Sequence, residues 1–119
     1  MNRLQKYLII NSLFSLMTGL IMLLFSEKLQ SFFNIEHSFI FPIIGINLII
    51  FSIFVWFVSK QKKNKVLVQI ISILDFLWVF GSLLIIIFNI FDLSKNGTIV
   101  IGVISIWIGF LGFKQYQYN

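Results

Sequence analysis

An all-α polytopic membrane protein is predicted here: a single domain over 1–119, an antiparallel up-down-up-down bundle of four transmembrane helices with both termini cytoplasmic. Three observations carry that prediction. Hydrophobic residues fill 59% of the 119 positions and charged ones only 11%, against about 45–50% and 25% in soluble chains. A chain this short hides roughly two thirds of its surface on folding in water, too little to cover 15 Phe and the many Ile beside them. The apolar residues also gather into four runs, and the basic residues fall between and beside those runs on alternate connections. A lipid-facing strand would alternate apolar and polar positions, which none of the runs does, and a helix satisfies its own backbone in lipid.

The first span, 7–26, follows Arg3 and Lys6. Its end, Leu23-Leu24-Phe25-Ser26-Glu27-Lys28, lacks the small-residue cleavage pattern of a signal peptide, so it is read as a retained span. In the connection 27–36, Leu29, Phe32, Phe33 and Glu36 recur at helical spacing with Ile35 nearby, while Glu27, Lys28, Gln30, Ser31 and Asn34 are polar. This pattern suits a short helix in the headgroup layer, or an apolar loop packed on the bundle mouth. The second span, 38–59, carries Pro42 in its first turn, where the missing N–H costs nothing. His37, just before it, is a lone histidine and reads as a surface residue. The third span, 66–90, contains Asp75, and the turn 92–97 ends in Asn96-Gly97, a helix-start signal. The fourth, 97–113, is the shortest of the four. Each approaches the roughly 20 residues needed to cross about 30 Å of hydrocarbon. A weak internal repeat pairs spans one and two with three and four, setting Ser12 against Asp75, Gly19 against Ser82, and Ile44-Gly45 against Ile101-Gly102.

The charges set the orientation. Arg3, Lys6, Lys60, Lys62, Lys63, Lys65 and Lys114 share one side with no acidic residue, whereas Lys28 and Lys95 face Glu27, Glu36 and Asp92 on the other. The side rich in basic residues is cytoplasmic by the positive-inside rule. Lys60, Lys62, Lys63 and Lys65 lie in a short loop between two spans, suited to anionic lipid headgroups and not to nucleic acid. Membrane lipids are thus the expected partners. Tyr7, Trp56, Tyr116 and Tyr118 fall at the same boundary as an aromatic belt, while Trp78 and Trp107 lie deeper and read as bundle packing. The chain has no Cys and one His. Thiolate chemistry and a multi-histidine metal site are therefore excluded, and no cofactor is expected. A hydrolytic nucleophile would need a positioned base, and no His or Lys lies within a span to supply one.

Chemistry is concentrated where the apolar pattern breaks. Asp75 lies nine residues into its span, about 13 Å deep at 1.5 Å per residue, near the midplane. A carboxyl there costs about 2.5–3.5 kcal/mol on insertion scales, so it should face the bundle, neutral or hydrogen-bonded to hydroxyls and amides. Gln69, Ser72 and Ser82 recur around it at helical spacing; Asn47 is placed at comparable depth on span two; Ser15 and Thr18, with Asn11 nearer the cytoplasm, form a stripe on span one. Asp75, Asn47, Ser72, Ser82, Gln69, Ser15 and Thr18 are accordingly the candidate intramembrane polar or ion-coupling site. There is no Ala in the chain, so close helix contact falls to other small residues. Gly102, Ser105, Gly109 and Gly112 make one strip on span four, with Gly19, Gly45 and Gly81 in similar roles elsewhere. The strip packs within the monomer or against a second copy, which leaves a homo-oligomer open.

The segment Leu74-Asp75-Phe76-Leu77-Trp78-Val79-Phe80-Gly81-Ser82-Leu83-Leu84 resembles the third helix of an uncharacterised family of small bacterial four-span integral membrane proteins, with its LDxxWVxGSxLL-like pattern. The segments from Phe14 to Gly19, from Phe41 to Gly45 and from Gly109 to Gln115 are similar in layout to its other helices. The resemblance implies the four-span fold and a bacterial cytoplasmic (inner) membrane, and carries no activity with it. Small multidrug transporters share the size but place their acidic residue in the first helix, where this chain has none. Two readings follow: a non-enzymatic structural or accessory protein whose polar cluster around Asp75 fixes its packing, or a small transporter or ion-coupled carrier using Asp75 as its proton or cation site.

Overall fold

The computed structural model describes residues 3–35, 39–61, 65–89 and 93–119. Glu36, His37, Lys62, Lys63 and Asp92, each assigned a place above, lie outside the described residues. Five helices follow one another: α1 (Arg3–Leu24), α2 (Ser26–Phe33), α3 (Ile40–Ser59), α4 (Lys65–Phe88) and α5 (Lys95–Gln117). Four of them, of 20 to 24 residues, are long and apolar enough to cross a membrane. Each sequence-predicted span overlaps one of these helices, and α1 and α5 reach further at the end where the termini lie. Arg3 and Lys6 are helical, and α5 continues past Phe113 to Gln117. A helix keeps its backbone bonds beyond the apolar run, and long polar side chains can follow the apolar surface with their heads at its edge.

The segment 26–33 is a helix, α2, ended by Asn34 in the left-handed conformation at φ 60°. Phe33 and Ile35 bury themselves against Phe41, with Met22, Leu29, Leu93 and Ile101 around them. Phe32 stays 43% exposed. α2 is thus an amphipathic helix packed over the open end of the bundle, combining the two expectations for this segment. Ser94 ties it down. Its Oγ accepts from Gly97 N as the N-cap of α5 and donates to Phe32 O at 2.6 Å, while Ser94 N donates to Phe33 O at 3.2 Å. The start signal therefore lies at Ser94, and Asn96-Gly97 falls inside the first turn of α5.

The long helices form two antiparallel hairpins, α1 with α3 and α4 with α5. In the first, Gly19 faces Gly45 and Ser12 Oγ donates to Ser52 O at 2.8 Å. A Cβ on either glycine would lie 2.7 Å from the other's carbonyl oxygen, so the backbones meet only because no side chain intervenes. In the second hairpin the close approach sits near the termini, where a Cβ on Gly112 would be 3.1 Å from that of Asp75. Along the rest of the small-residue strip the contact relaxes. Gly109 has ordinary contact with Val79, and a Cβ on Gly102 or Gly81 would meet nothing within 4 Å. The expectation of close packing thus holds for Gly19, Gly45 and Gly112, and is corrected for Gly81 and Gly102. Each hairpin is pinched at a different level.

The hairpins meet through two seams. α1 meets α5 along Tyr7 stacked on Tyr118 and Phe14 edge-on to Trp107. α3 meets α4 least, and chiefly at the terminus end, where Leu8, Val55, Val58, Val68 and Ile71 form a buried core. The outer surface of the long helices is largely apolar: Met17, Ile50, Phe80, Ile87 and Ile106 are each at least 60% exposed. Arg3 and Lys60 instead sit over the rings of Tyr118 and Trp56 at the terminus end. Gly19→Ala should force α1 and α3 apart and destabilise the fold by about 1–3 kcal/mol, whereas Gly81→Ala should be close to neutral. Reversible unfolding of both variants in mixed micelles measures the difference.

Candidate functional site

Asp75 is 3% exposed and lies on the buried face of α4 with Val68, Ile71 and Ser72. Its depth comes from the apolar run that carries it, and its direction from cost. A buried carboxyl without partners would lose several kcal/mol of solvation, so the helix turns it toward donors. Those donors come from two other helices. Asn11 Nδ2 of α1 donates to Asp75 Oδ2 at 2.9 Å, and Gln115 Nε2 of α5 donates to the same oxygen at 2.7 Å. Asn11 Nδ2 also donates to Gln115 Oε1 at 3.0 Å, which closes a triangle. Ser15, one turn along α1, donates from Oγ to Asn11 Oδ1 at 3.3 Å, which fixes the face of the amide that meets Asp75. Asn11 and Gln115 are 1% and 0% exposed, so water does not compete for these bonds.

The sequence-predicted site residues divide around this triangle. Ser15 joins it through Asn11. Ser72 lies beside it on α4, buried, with an Oγ that has no hydrogen-bond partner among the described residues. Gln69 is exposed: six residues before Asp75, it is turned about 120° away from the inner face at 100° per residue. Asn47 is not a partner of Asp75. Gly45 of α3 stands opposite Gly19, which puts Asn47 about 9 Å further toward the α2 end than the Asn11–Asp75 level. Ser105 donates to Ile101 O of its own helix at 2.7 Å. The missing partner is Gln115. Ending the fourth span at Phe113 left it in a polar tail. The buried positions Ser105, Ile108, Gly112 and Gln115 nonetheless keep helical spacing, and carrying the small-residue strip one step further reaches it.

Above the triangle, toward α2, the hairpins enclose a cavity of about 470 Å³. Asp75, Asn11 and Ser15 line its lower part, and Thr18, Asn47 and Ser82 line it higher up. The remaining wall is apolar, including Phe14, Phe51, Leu77, Trp78 and Ile104. The α2 end is closed by Phe33, Ile35 and Phe41, and the terminus end by the core around Val55 and Ile71. Asn47, Leu74 and Leu77 line the cavity and are also exposed. Its mouth therefore lies on the side of the bundle between α3 and α4. Among the described residues no group of three His, Cys, Asp or Glu converges as metal ligands would.

No family model, no curated protein and no solved structure matches the chain. What the site can do is thus read from its own geometry. The triangle has the form of a clasp: side chains from three helices hydrogen-bond one another at the floor of the cavity. Asp75→Asn keeps an acceptor oxygen at the same position and should leave stability within about 0.5 kcal/mol. Gln115→Leu removes one of the two donors to Asp75 and one acceptor of Asn11 and should cost about 1–3 kcal/mol. Unfolding of the two variants side by side in detergent checks the contrast.

Proposed function

We propose that this chain is a multi-pass protein of a bacterial cytoplasmic membrane, with both termini inside, and that it acts as a non-enzymatic structural or accessory protein. The four long apolar helices and their exposed apolar faces support the membrane placement. The orientation rests on Arg3, Lys6, Lys60, Lys65 and Lys114 at one end, where anionic headgroups would meet them, and on the basic sequence of the connection that holds Lys62 and Lys63. The observation that carries the functional reading is the Asn11–Asp75–Gln115 triangle, which ties α1 of one hairpin to α4 and α5 of the other. In lipid, no hydrophobic force sorts one helix pairing from another, so interhelical hydrogen bonds of about 0.6–1.7 kcal/mol each weigh heavily in choosing the arrangement. Asp75 serves that purpose, with Asn11 and Gln115 as its donors.

The second reading is the ion-coupled carrier with Asp75 as the binding carboxyl. It is favoured by one observation, the cavity that reaches Asp75. Against it stand the apolar closures at both ends of that cavity, which leave its mouth on the apolar flank of the bundle instead of at either end. A self-associated form through an exposed helix face is compatible with either reading.

Proteoliposomes test the choice. Because the chain lacks Cys, single cysteines in place of Gln61 and Ser31 report the two sides to a membrane-impermeant thiol reagent. Gln61→Cys should be labelled only from the cytoplasmic side and Ser31→Cys only from the other. In the same vesicles, proton, Na⁺ and K⁺ flux should equal that of empty liposomes for both the wild type and Asp75→Asn. A flux that the wild type supports and Asp75→Asn abolishes would replace the accessory reading with the carrier.

A further inference from the structure

The cavity between the hairpins is more than a packing defect. Its size falls within the range of about 300–1,000 Å³ typical of small-ligand sites, and the pinch points explain why it exists. α1 and α3 close tightly at Gly19 and Gly45, while α4 and α5 close at Gly112 and leave Gly81 facing open space. The polar groups higher in the cavity are different in kind from the triangle below. Ser82 is 9% exposed, lines the cavity and makes no side-chain hydrogen bond to the described residues, and the same is true of the partly buried Thr18 and of Asn47 at the mouth. Seven residues separate Asn11 from Thr18 and Asp75 from Ser82. All three groups therefore stand within about one turn of a common level, roughly 10 Å above the triangle. Amide and hydroxyl groups that face the cavity without a protein partner can bond to a molecule that enters it.

We propose that this cavity is a binding site for one neutral, single-chain amphiphile drawn from the bilayer. Its apolar chain lies against Phe14, Leu77 and Trp78, and its hydroxyl-bearing head bonds to Asn47, Thr18 and Ser82. Three features select this occupant. The mouth between α3 and α4 opens sideways, onto the apolar flank of the bundle, so the ligand comes from lipid. The polar level offers uncharged donors and acceptors, and among the described residues no Lys or Arg lines the cavity, so a phosphate head would find no counter-charge there. Asp75 stands roughly 10 Å below this level, so a head held by Asn47, Thr18 and Ser82 lies away from its carboxyl. Entry needs no opening of the clasp: α3 and α4 are the least joined neighbours, and their contact lies at the terminus end. The site rests on the membrane placement proposed above, and goes beyond the accessory role by giving the bundle a ligand.

Tryptophan quenching by a chain-brominated monoacylglycerol tests it in bilayers of bromine-free phosphatidylcholine. With Trp56→Phe and Trp107→Phe, Trp78 is the only tryptophan, and it lines the cavity. Its quenching should saturate at low probe fraction and exceed that by chain-brominated phosphatidylcholine at the same bromine content by about tenfold in apparent affinity, the effect of one or two hydrogen bonds. Gly81→Phe, which fills the open space, should abolish the saturable component. Asn47→Leu, at a side chain with no bond to lose, should weaken the monoacylglycerol severalfold and leave the affinity of a brominated alkane of the same chain length unchanged. Quenching that rises linearly with probe fraction, alike in wild type and Gly81→Phe, would overturn the site. A separate variant keeps the two proposals apart. With Trp56→Phe and Trp78→Phe, Trp107 on the partly exposed outer face should be quenched by brominated phosphatidylcholine, and failure there would sink the membrane placement instead of the pocket.

Discussion

Asp75 is the only acidic side chain within the four long helices, and placing a carboxyl in an apolar interior constrains everything around it. Its desolvation has to be offset by donors, and the backbone of its own helix cannot supply them because those groups are engaged in the helix. Two primary amides from α1 and α5 do so instead. An amide suits this role because it both donates and accepts. Asn11 can serve Asp75 and Gln115 through one end while taking the Ser15 hydroxyl at the other. The cost of a lone buried carboxyl exceeds the gain from any single bond of this kind, so the arrangement is favourable only when all three helices are in place. That all-or-none character turns a local cost into a specification of the bundle.

The two hairpins differ in where their backbones come together, and the rest of the architecture follows from that difference. Glycine opposite glycine closes α1 on α3 toward the α2 end. On the other hairpin the tight point is Gly112 against Asp75, at the level of the triangle, so small-residue contact and hydrogen bonding coincide there. Moving toward α2, the second hairpin relaxes while the first tightens, and the space between them becomes the cavity. α2 closes its end through Phe33 and Ile35, held by the Ser94 cap. A short amphipathic helix and one serine thus decide that the cavity opens to the side and not to the end.

The four long helices were legible in the sequence because runs of that length and apolarity have few alternatives in lipid, and Asp75 stood out against them. The antiparallel order followed from short connections. What periodicity could not supply was the axial register between helices. Asn47 was placed beside Asp75 by counting from a span end, yet the Gly19–Gly45 contact sets α3 further along, and Asn47 lies at the cavity mouth. Gln115 falls outside the predicted fourth span because hydropathy ends at Phe113, although the helix does not. Gly81 and Gly102 had the composition of contact points, but small residues permit close approach without requiring it, and the opposing helix decides. Gln69 shows the converse error, where four polar residues recur at helical spacing on one helix and one of them is turned outward.

The central claim is that Asp75 holds the two hairpins together through its hydrogen bonds across helices. A double-mutant cycle with Asn11→Leu and Asp75→Leu, measured by reversible unfolding in bicelles, addresses that claim most directly. The account predicts a coupling free energy of about 0.5–2 kcal/mol between the two positions, within the range for neighbours in one hydrogen-bond network. Additive effects, with a coupling near zero, would contradict it.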